Sequence, residues 1–87
     1  MQADKTKVLR LLKTARGQLD GLMKMVEEDR YCIDISHQLL ATQAILRRAN
    51  NDILKAHLAG CVSEAIHSGN GEEKIEEILK ILEELTK

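Results

Sequence analysis

The sequence predicts an all-α fold: a three-helix protomer with a long central helix. Three observations lead there. The 87 residues include no Pro, Phe or Trp and a single Tyr. Their richness in Leu, Ile, Ala, Glu and Lys favours helices and leaves the core to aliphatic side chains. Apolar residues recur at three- and four-residue steps along most of the chain. That rhythm breaks at only two places, Glu28-Asp29-Arg30 and Ser68-Gly69-Asn70-Gly71.

The first helix carries Val8, Leu12, Ala15, Leu19, Leu22 and Val26. At about 100° per residue they form a stripe about 80° wide, as on an amphipathic helix that buries one face. Lys7, Arg10, Lys13 and Lys24 project from the opposite side. Gly17 and Gly21 lie one turn apart inside it, each costing roughly 1 kcal/mol against Ala, so another helix is expected to approach closely there. The second helix runs from about Cys32 to His67, through Ile35, Leu39, Ile45, Leu46, Ala49, Ile53, Leu58, Val62, Ala65 and Ile66. At about 1.5 Å per residue it is a rod of roughly 50 Å. Two short neighbours cannot cover such a rod, so its apolar stripe implies self-association. The Ser-Gly-Asn-Gly run is a stop and turn. The third helix opens with Glu72 and Glu73 in its first turn, where acidic groups suit the macrodipole. Ile75, Ile78, Leu79, Leu82 and Leu85 are its expected buried face. No linker or repeat divides residues 1–87, which read as one domain.

A chain this short buries a limited core and often needs a metal or a partner subunit. No apolar run approaches the roughly 20 residues of a membrane span, and no signal peptide opens the chain. Two cysteines without a secretory signal point to a reducing compartment, where thiols bind metals rather than pair; a cytoplasmic protein is expected. The net charge of −1 conceals an asymmetry. Residues 1–50 carry nine Lys/Arg against six Asp/Glu, and residues 51–87 four against eight. A basic amino-terminal half is compatible with nucleic acid, although charge alone favours a solvated helix face.

His57 and Cys61 stand four residues apart, one above the other on a helix, so imidazole and thiolate can grip one ion. Cys32 is the only other cysteine. Two sulfurs and a nitrogen form a soft set that favours Cu(I) or Zn(II) over Mg or Ca. Three ligands without an obvious fourth suit trigonal Cu(I) better than closed tetrahedral Zn(II). Cys32 precedes His57 by 25 residues, roughly 37 Å along a continuous helix, whereas ligand bonds span about 2.0–2.3 Å. Two copies packed antiparallel solve this, because residue i then lies beside residue j′ with i + j constant. Setting Cys32 against the His57–Cys61 turn puts that sum near 91 and the two-fold axis near Ile45 and Leu46, apolar as the centre of an isologous interface should be. The competing reading makes the cysteines small buried hydrophobes and His57 an interface histidine. His37 and His67 lack matching partners and read as surface residues.

Arg16-Gly17-Gln18-Leu19-Asp20-Gly21, Asp29-Arg30-Tyr31-Cys32-Ile33-Asp34-Ile35 and His57-Leu58-x-x-Cys61 together resemble the CsoR family, named for the copper-sensitive operon repressor. The resemblance spans nearly the whole chain. It implies an antiparallel dimer that assembles into a dimer-of-dimers tetramer, binding operator double-stranded DNA when metal-free and released by cuprous ion. It implies Cys32, His57 and Cys61 as copper ligands, with Tyr31 and Glu77 at positions that couple the metal to DNA affinity; the physical route is a hydrogen bond from the distal nitrogen of the His57 ring to one of the two. Basic residues of the first two helices contact DNA in the family, which makes Arg16 and Arg48, with Arg10, Lys13 and Arg47 beside them, the matching candidates. The chain departs from the family at Leu11, where a relative carries Arg. Nickel and cobalt sensors of the family recruit a further ligand near the amino terminus, commonly His; Met1-Gln2-Ala3-Asp4 has no His, which leaves the amino group and Asp4 as the available donors there.

The expected function is therefore a Cu(I)-responsive transcriptional repressor, with Zn(II) or Ni(II) as the alternative effector. No membrane or small-molecule substrate is expected among its partners. The rival from another class is a helical oligomer whose zinc merely staples subunits. An enzyme using Cys61 as thiolate beside His57 is disfavoured, because no acidic orienter, oxyanion device or Gly-rich loop accompanies the pair.

Overall fold

The computed structural model describes residues 1–69 and 71–86, with side chains for all of these except Ser68, Leu85 and Thr86. Helix α1 spans Lys5–Glu27, α2 Cys32–Ser68 and α3 Gly71–Thr86, so the all-α expectation holds. The middle helix runs 37 residues without a break. Contacts divide the chain into two compact bodies, Lys5–Asn50 and Met1–Asp4 with Asn51–Lys87. The two halves of α2 belong to different bodies.

In the Lys5–Asn50 body α1 turns back into α2 through a Schellman closure. Arg30 N–H donates to the Met25 carbonyl at 3.0 Å and Asp29 N–H to the Val26 carbonyl at 3.1 Å, serving carbonyls that a helix end leaves open. The closure holds Asp29 at φ 52°, a left-handed conformation that glycine adopts at least cost. Asp29→Gly is accordingly expected to stabilise the protein by about 0.5 kcal/mol, read as a higher melting temperature. A lower one would mean that the Asp29 side chain contributes more than its strain costs.

Val8, Ala15 and Leu22 are the buried residues of α1, seven apart, with Leu11, Gln18 and Met25 half-buried between them. Facing them on α2, Thr42 and Ala49 are buried and Ile35, Gln38 and Ile45 half-buried. The result is a heptad seam, narrower than the stripe expected from sequence. Leu12, Leu19 and Val26 lie beside it, 42%, 44% and 58% exposed. The apolar stripe of α1 thus comprises two edges, and only one of them has a cover within the chain. Leu11, the position of the departure noted above, sits in the seam, where an apolar side chain belongs.

A polar pair crosses this seam. Thr42 Oγ1 lies 2.8 Å from Gln18 Oε1 and 3.1 Å from the Gln38 carbonyl oxygen. The Thr42 hydroxyl donates to Gln18 Oε1, the shorter contact, with the Gln38 carbonyl as an alternative acceptor on its own helix. Sliding the helices by a turn would separate the Gln18 amide from Thr42, so the pair favours one register. A Cβ added at Gly17 or Gly21 would meet nothing within 4 Å; among the described residues no helix approaches closely there. Gly60 is different. The Gln2 side chain comes to 3.1 Å from where its Cβ would stand, so the amino-terminal segment rests on α2 there.

In the second body α3 lays Lys74, Glu77, Ile78 and Ile81 inward. Ile81 is buried and the other three half-buried. This corrects the expected buried face, since Ile75, Leu79 and Leu82 are exposed. Rotating α3 by about one residue from the expected orientation lets Glu77 and Lys74 reach polar partners on α2 while Ile78 and Ile81 still pack. Leu85, the last residue of the expected face, lies outside the described side chains. Among the described residues, sixteen large apolar side chains stay exposed against six buried hydrophobic ones.

Candidate metal centre

The second half of α2 places His57 and Cys61 one turn apart on one face, as their spacing requires. Cys61 is 4% exposed. From α3, Glu77 reaches across to them, its Oε1 2.6 Å from His57 Nε2. One donor atom from each of His57, Cys61 and Glu77 lies within 4.8 Å of the other two, and among the described residues no other His, Cys, Asp or Glu group does this. The side chains of His57 and Glu77 are 48% and 38% exposed, so one edge of the centre opens to solvent.

The electrostatics assign the protons. The hydrogen bond from His57, then that from Cys61, holds the Glu77 carboxyl below the usual carboxylate range, with Lys74 acting in the same direction. An ionised carboxylate only accepts, so in the neutral ring Nε2 carries the proton and the Nδ1 lone pair stays free for an ion. Burial pushes the Cys61 thiol up, and the bond to Glu77 raises it further. The metal-free centre therefore holds a neutral thiol, whose proton a metal must displace.

These groups also set a pH response in the metal-free protein. A carboxyl held low in the fold contributes stability that is complete above the usual carboxylate range and is lost as pH falls through it. Melting temperatures of the metal-free protein and of Glu77→Gln are expected to differ near neutrality and to converge only as pH falls below the usual carboxylate range, through the lowered value of the folded state. A constant gap over that range would mean that Glu77 contributes shape rather than charge.

A buried thiol and an imidazole nitrogen suit a soft or borderline ion such as Cu(I), Zn(II) or Ni(II), with one carboxylate as a harder donor or a brace. Cys32 is a free, exposed thiol at the first position of α2 and is not part of this cluster. Tyr31, in the turn before it, is also exposed. Arg10, Lys13 and Arg16 on α1 and Arg47 and Arg48 on α2 are all exposed. Arg10 and Lys13 flank an open groove with Thr6, Leu9 and Thr14. His37 and His67 are exposed as expected. The sequence did not single out Lys74, which pairs with Glu77, or Glu64, which pairs with Lys74; the i, i+3 spacing of Lys74 and Glu77 was the available signal.

The pattern of the metal-sensitive transcriptional repressor family matches residues 4–84. A copper-sensing transcriptional repressor, CsoR, of Mycobacterium tuberculosis strain H37Rv is 44% identical over 79 residues, which is 91% of this chain and 66% of that protein. The chain thus spans about two thirds of the length of that relative. The copper-sensing repressor CsoR of Geobacillus thermodenitrificans NG80-2, solved with Cu(I), superimposes with a TM-score of 0.80 at 37% identity, over 100% of this chain and 94% of that one. The nickel-responsive transcriptional regulator InrS superimposes with a TM-score of 0.87 at 28% identity, over 98% and 96%.

Proposed function

The chain belongs to the metal-sensitive transcriptional repressor family, and from that premise we propose that it is a Cu(I)-responsive repressor, binding operator double-stranded DNA when metal-free and leaving it when cuprous ion binds. The observation that carries the copper reading is the soft pair His57 and Cys61, gathered on one helix face with a buried sulfur. The third ligand is Cys32 of a second copy. Along one uninterrupted helix its own Cys32 stands 25 residues before His57, so an antiparallel homodimer completes each centre and holds two of them. The many apolar side chains left open on the single chain support such an assembly, and a dimer of dimers covers more of them.

His57 binds through Nδ1, Cys61 through its sulfur, and Glu77 keeps the ring oriented from behind, the arrangement usual for a ligating histidine. Tyr31 acts with Glu77 in passing the metal's presence to the DNA face. On that face Arg10, Lys13, Arg16, Arg47 and Arg48, repeated over four chains, neutralise phosphates together. Residues 1–87 work as one sensing and DNA-binding domain with no catalytic role, and the site of action is the cytoplasm, where the DNA lies. No described helix is long and apolar enough to cross a membrane. Metal and DNA prefer different conformations of the assembly, and linkage makes each weaken the other.

The test is anaerobic binding to duplexes selected from a random pool, with Cu(I), Zn(II) or Ni(II) added. A coupling of about 3 kcal/mol lowers DNA affinity about 150-fold with Cu(I). Release by Ni(II) alone would favour the nickel reading, for which the likeness to InrS is the specific support. DNA retained with every metal would remove the sensor proposal. Tyr31→Phe and Glu77→Ala are each expected to bind Cu(I) and release DNA less completely; full release in both would contradict their coupling role.

A further inference from the structure

The two carboxylate oxygens of Glu77 have different partners. Oε1 accepts from His57 Nε2 at 2.6 Å, and Oε2 faces Lys74 Nζ at 3.5 Å. The same ammonium lies 2.7 Å from Oε2 of Glu64, which sits on α2 three residues beyond Cys61. The Lys74 side chain is only 23% exposed, against 61% for Glu64 and 38% for Glu77. A shielded cation thus ties the α3 carboxylate to the α2 segment that carries the histidine and the thiol. A glutamate held by one oxygen can still swing about its side-chain torsions; a second anchor removes that freedom, and a long lysine stem shielded from water makes a firm one.

We infer that Lys74 is a positioning residue of the metal centre, clamping Glu77 between Glu64 and His57 so that the ring is held as the Nε2–H tautomer before metal arrives. The identity of the ion rests on the copper reading above, whereas the clamp does not. Neither charge sign nor proximity makes Lys74 a ligand: an ammonium has no lone pair to offer. Its contribution is preorganisation, and it works against its own charge, because a cation beside the centre repels an incoming ion. The two effects have opposite signs in a cuprous affinity, which lets experiment separate them.

The experiment uses the full chain with ¹⁵N-labelled histidine. Long-range ¹H–¹⁵N spectra of the metal-free protein report the His57 tautomer, and competition with bicinchoninate reports Cu(I) affinity. The wild type is expected to be predominantly Nε2–H. Lys74→Met is expected to mix the tautomers and weaken Cu(I) binding by about 3- to 10-fold, less than the roughly 10- to 100-fold of groups that touch a ligand directly, because Lys74 acts through Glu77. Lys74→Arg, which keeps charge and both contacts, should restore both readings. Glu64→Gln serves as the second variant should Lys74→Met fail to fold; it leaves the ammonium in place and should shift the tautomer the same way. A wild-type tautomer in Lys74→Met, tighter Cu(I) binding there, or no recovery in Lys74→Arg would overturn the inference. If the wild type binds no Cu(I), the copper reading falls and the tautomer spectra alone decide the role of Lys74.

Discussion

Cys61→Ala is expected to abolish the cuprous response while leaving DNA binding intact. The substitution removes the buried sulfur of the cluster and leaves His57 with the single thiolate of Cys32 from the second copy, two donors where the centre needs three. The loss should reach at least about 10³-fold in Cu(I) affinity, because a thiolate is the strongest donor available to such an ion. Its cost to the fold should be small, since Ala keeps the helix and deletes one atom. Titration against a chromophoric chelator measures the affinity, and retained operator binding at every Cu(I) concentration is the functional counterpart. Cys32→Ala and His57→Ala should follow the same pattern. Unchanged affinity in all three would remove the ligand assignment outright. A loss with Cys61→Ala and His57→Ala but none with Cys32→Ala would leave the centre within one chain, with Glu77 as third donor.

The second large effect is on stability. Leu22 is a large side chain in the α1–α2 seam and is 5% exposed. Leu22→Ala is expected to cost about 3 kcal/mol, the sum of lost transfer free energy and a cavity the neighbours cannot fully close. Against the roughly 5–15 kcal/mol of a whole domain, that is a large share. Urea unfolding at fixed protein concentration measures it. A cost under about 1 kcal/mol would mean that the seam is not what holds the hairpin together. Leu19→Ala provides the contrast, because Leu19 is 44% exposed and should lose little within a single chain. A comparable loss at Leu19 that grows as the protein is diluted would locate that edge of α1 in a subunit interface.

The helices, their number and their approximate limits were legible because each depends on local information. Absence of Pro, a 3.6-residue rhythm and two turn signals leave little choice of secondary structure, and α2 begins at Cys32 as its apolar run does. The His57–Cys61 pair was legible for the same reason: i and i+4 share a helix face whatever the rest of the chain does. Which edge of each apolar stripe is buried was not legible. Val8, Ala15 and Leu22 look no different in sequence from Leu12, Leu19 and Val26, and only the position of α2 distinguishes them. On α3 the same ambiguity led to the wrong face, since Ile75 and Leu79 are as apolar as Ile78 and Ile81.

Glu77 entered from sequence only through the family resemblance, one carboxylate among several on an acidic helix, and Lys74 did not enter at all. Their roles depend on contacts between residues ten or more positions apart, Glu64 with Lys74 and His57 with Glu77, and no periodicity records these. The sequence by itself determined the helical character and the placing of a soft donor pair on one helix face, both consequences of helix geometry. The tertiary structure alone decided the rotation of α3, and with it the carboxylate behind His57 and the ammonium behind the carboxylate. The physical reason is that a helix has a fixed pitch but a free azimuth until another surface buries one side of it.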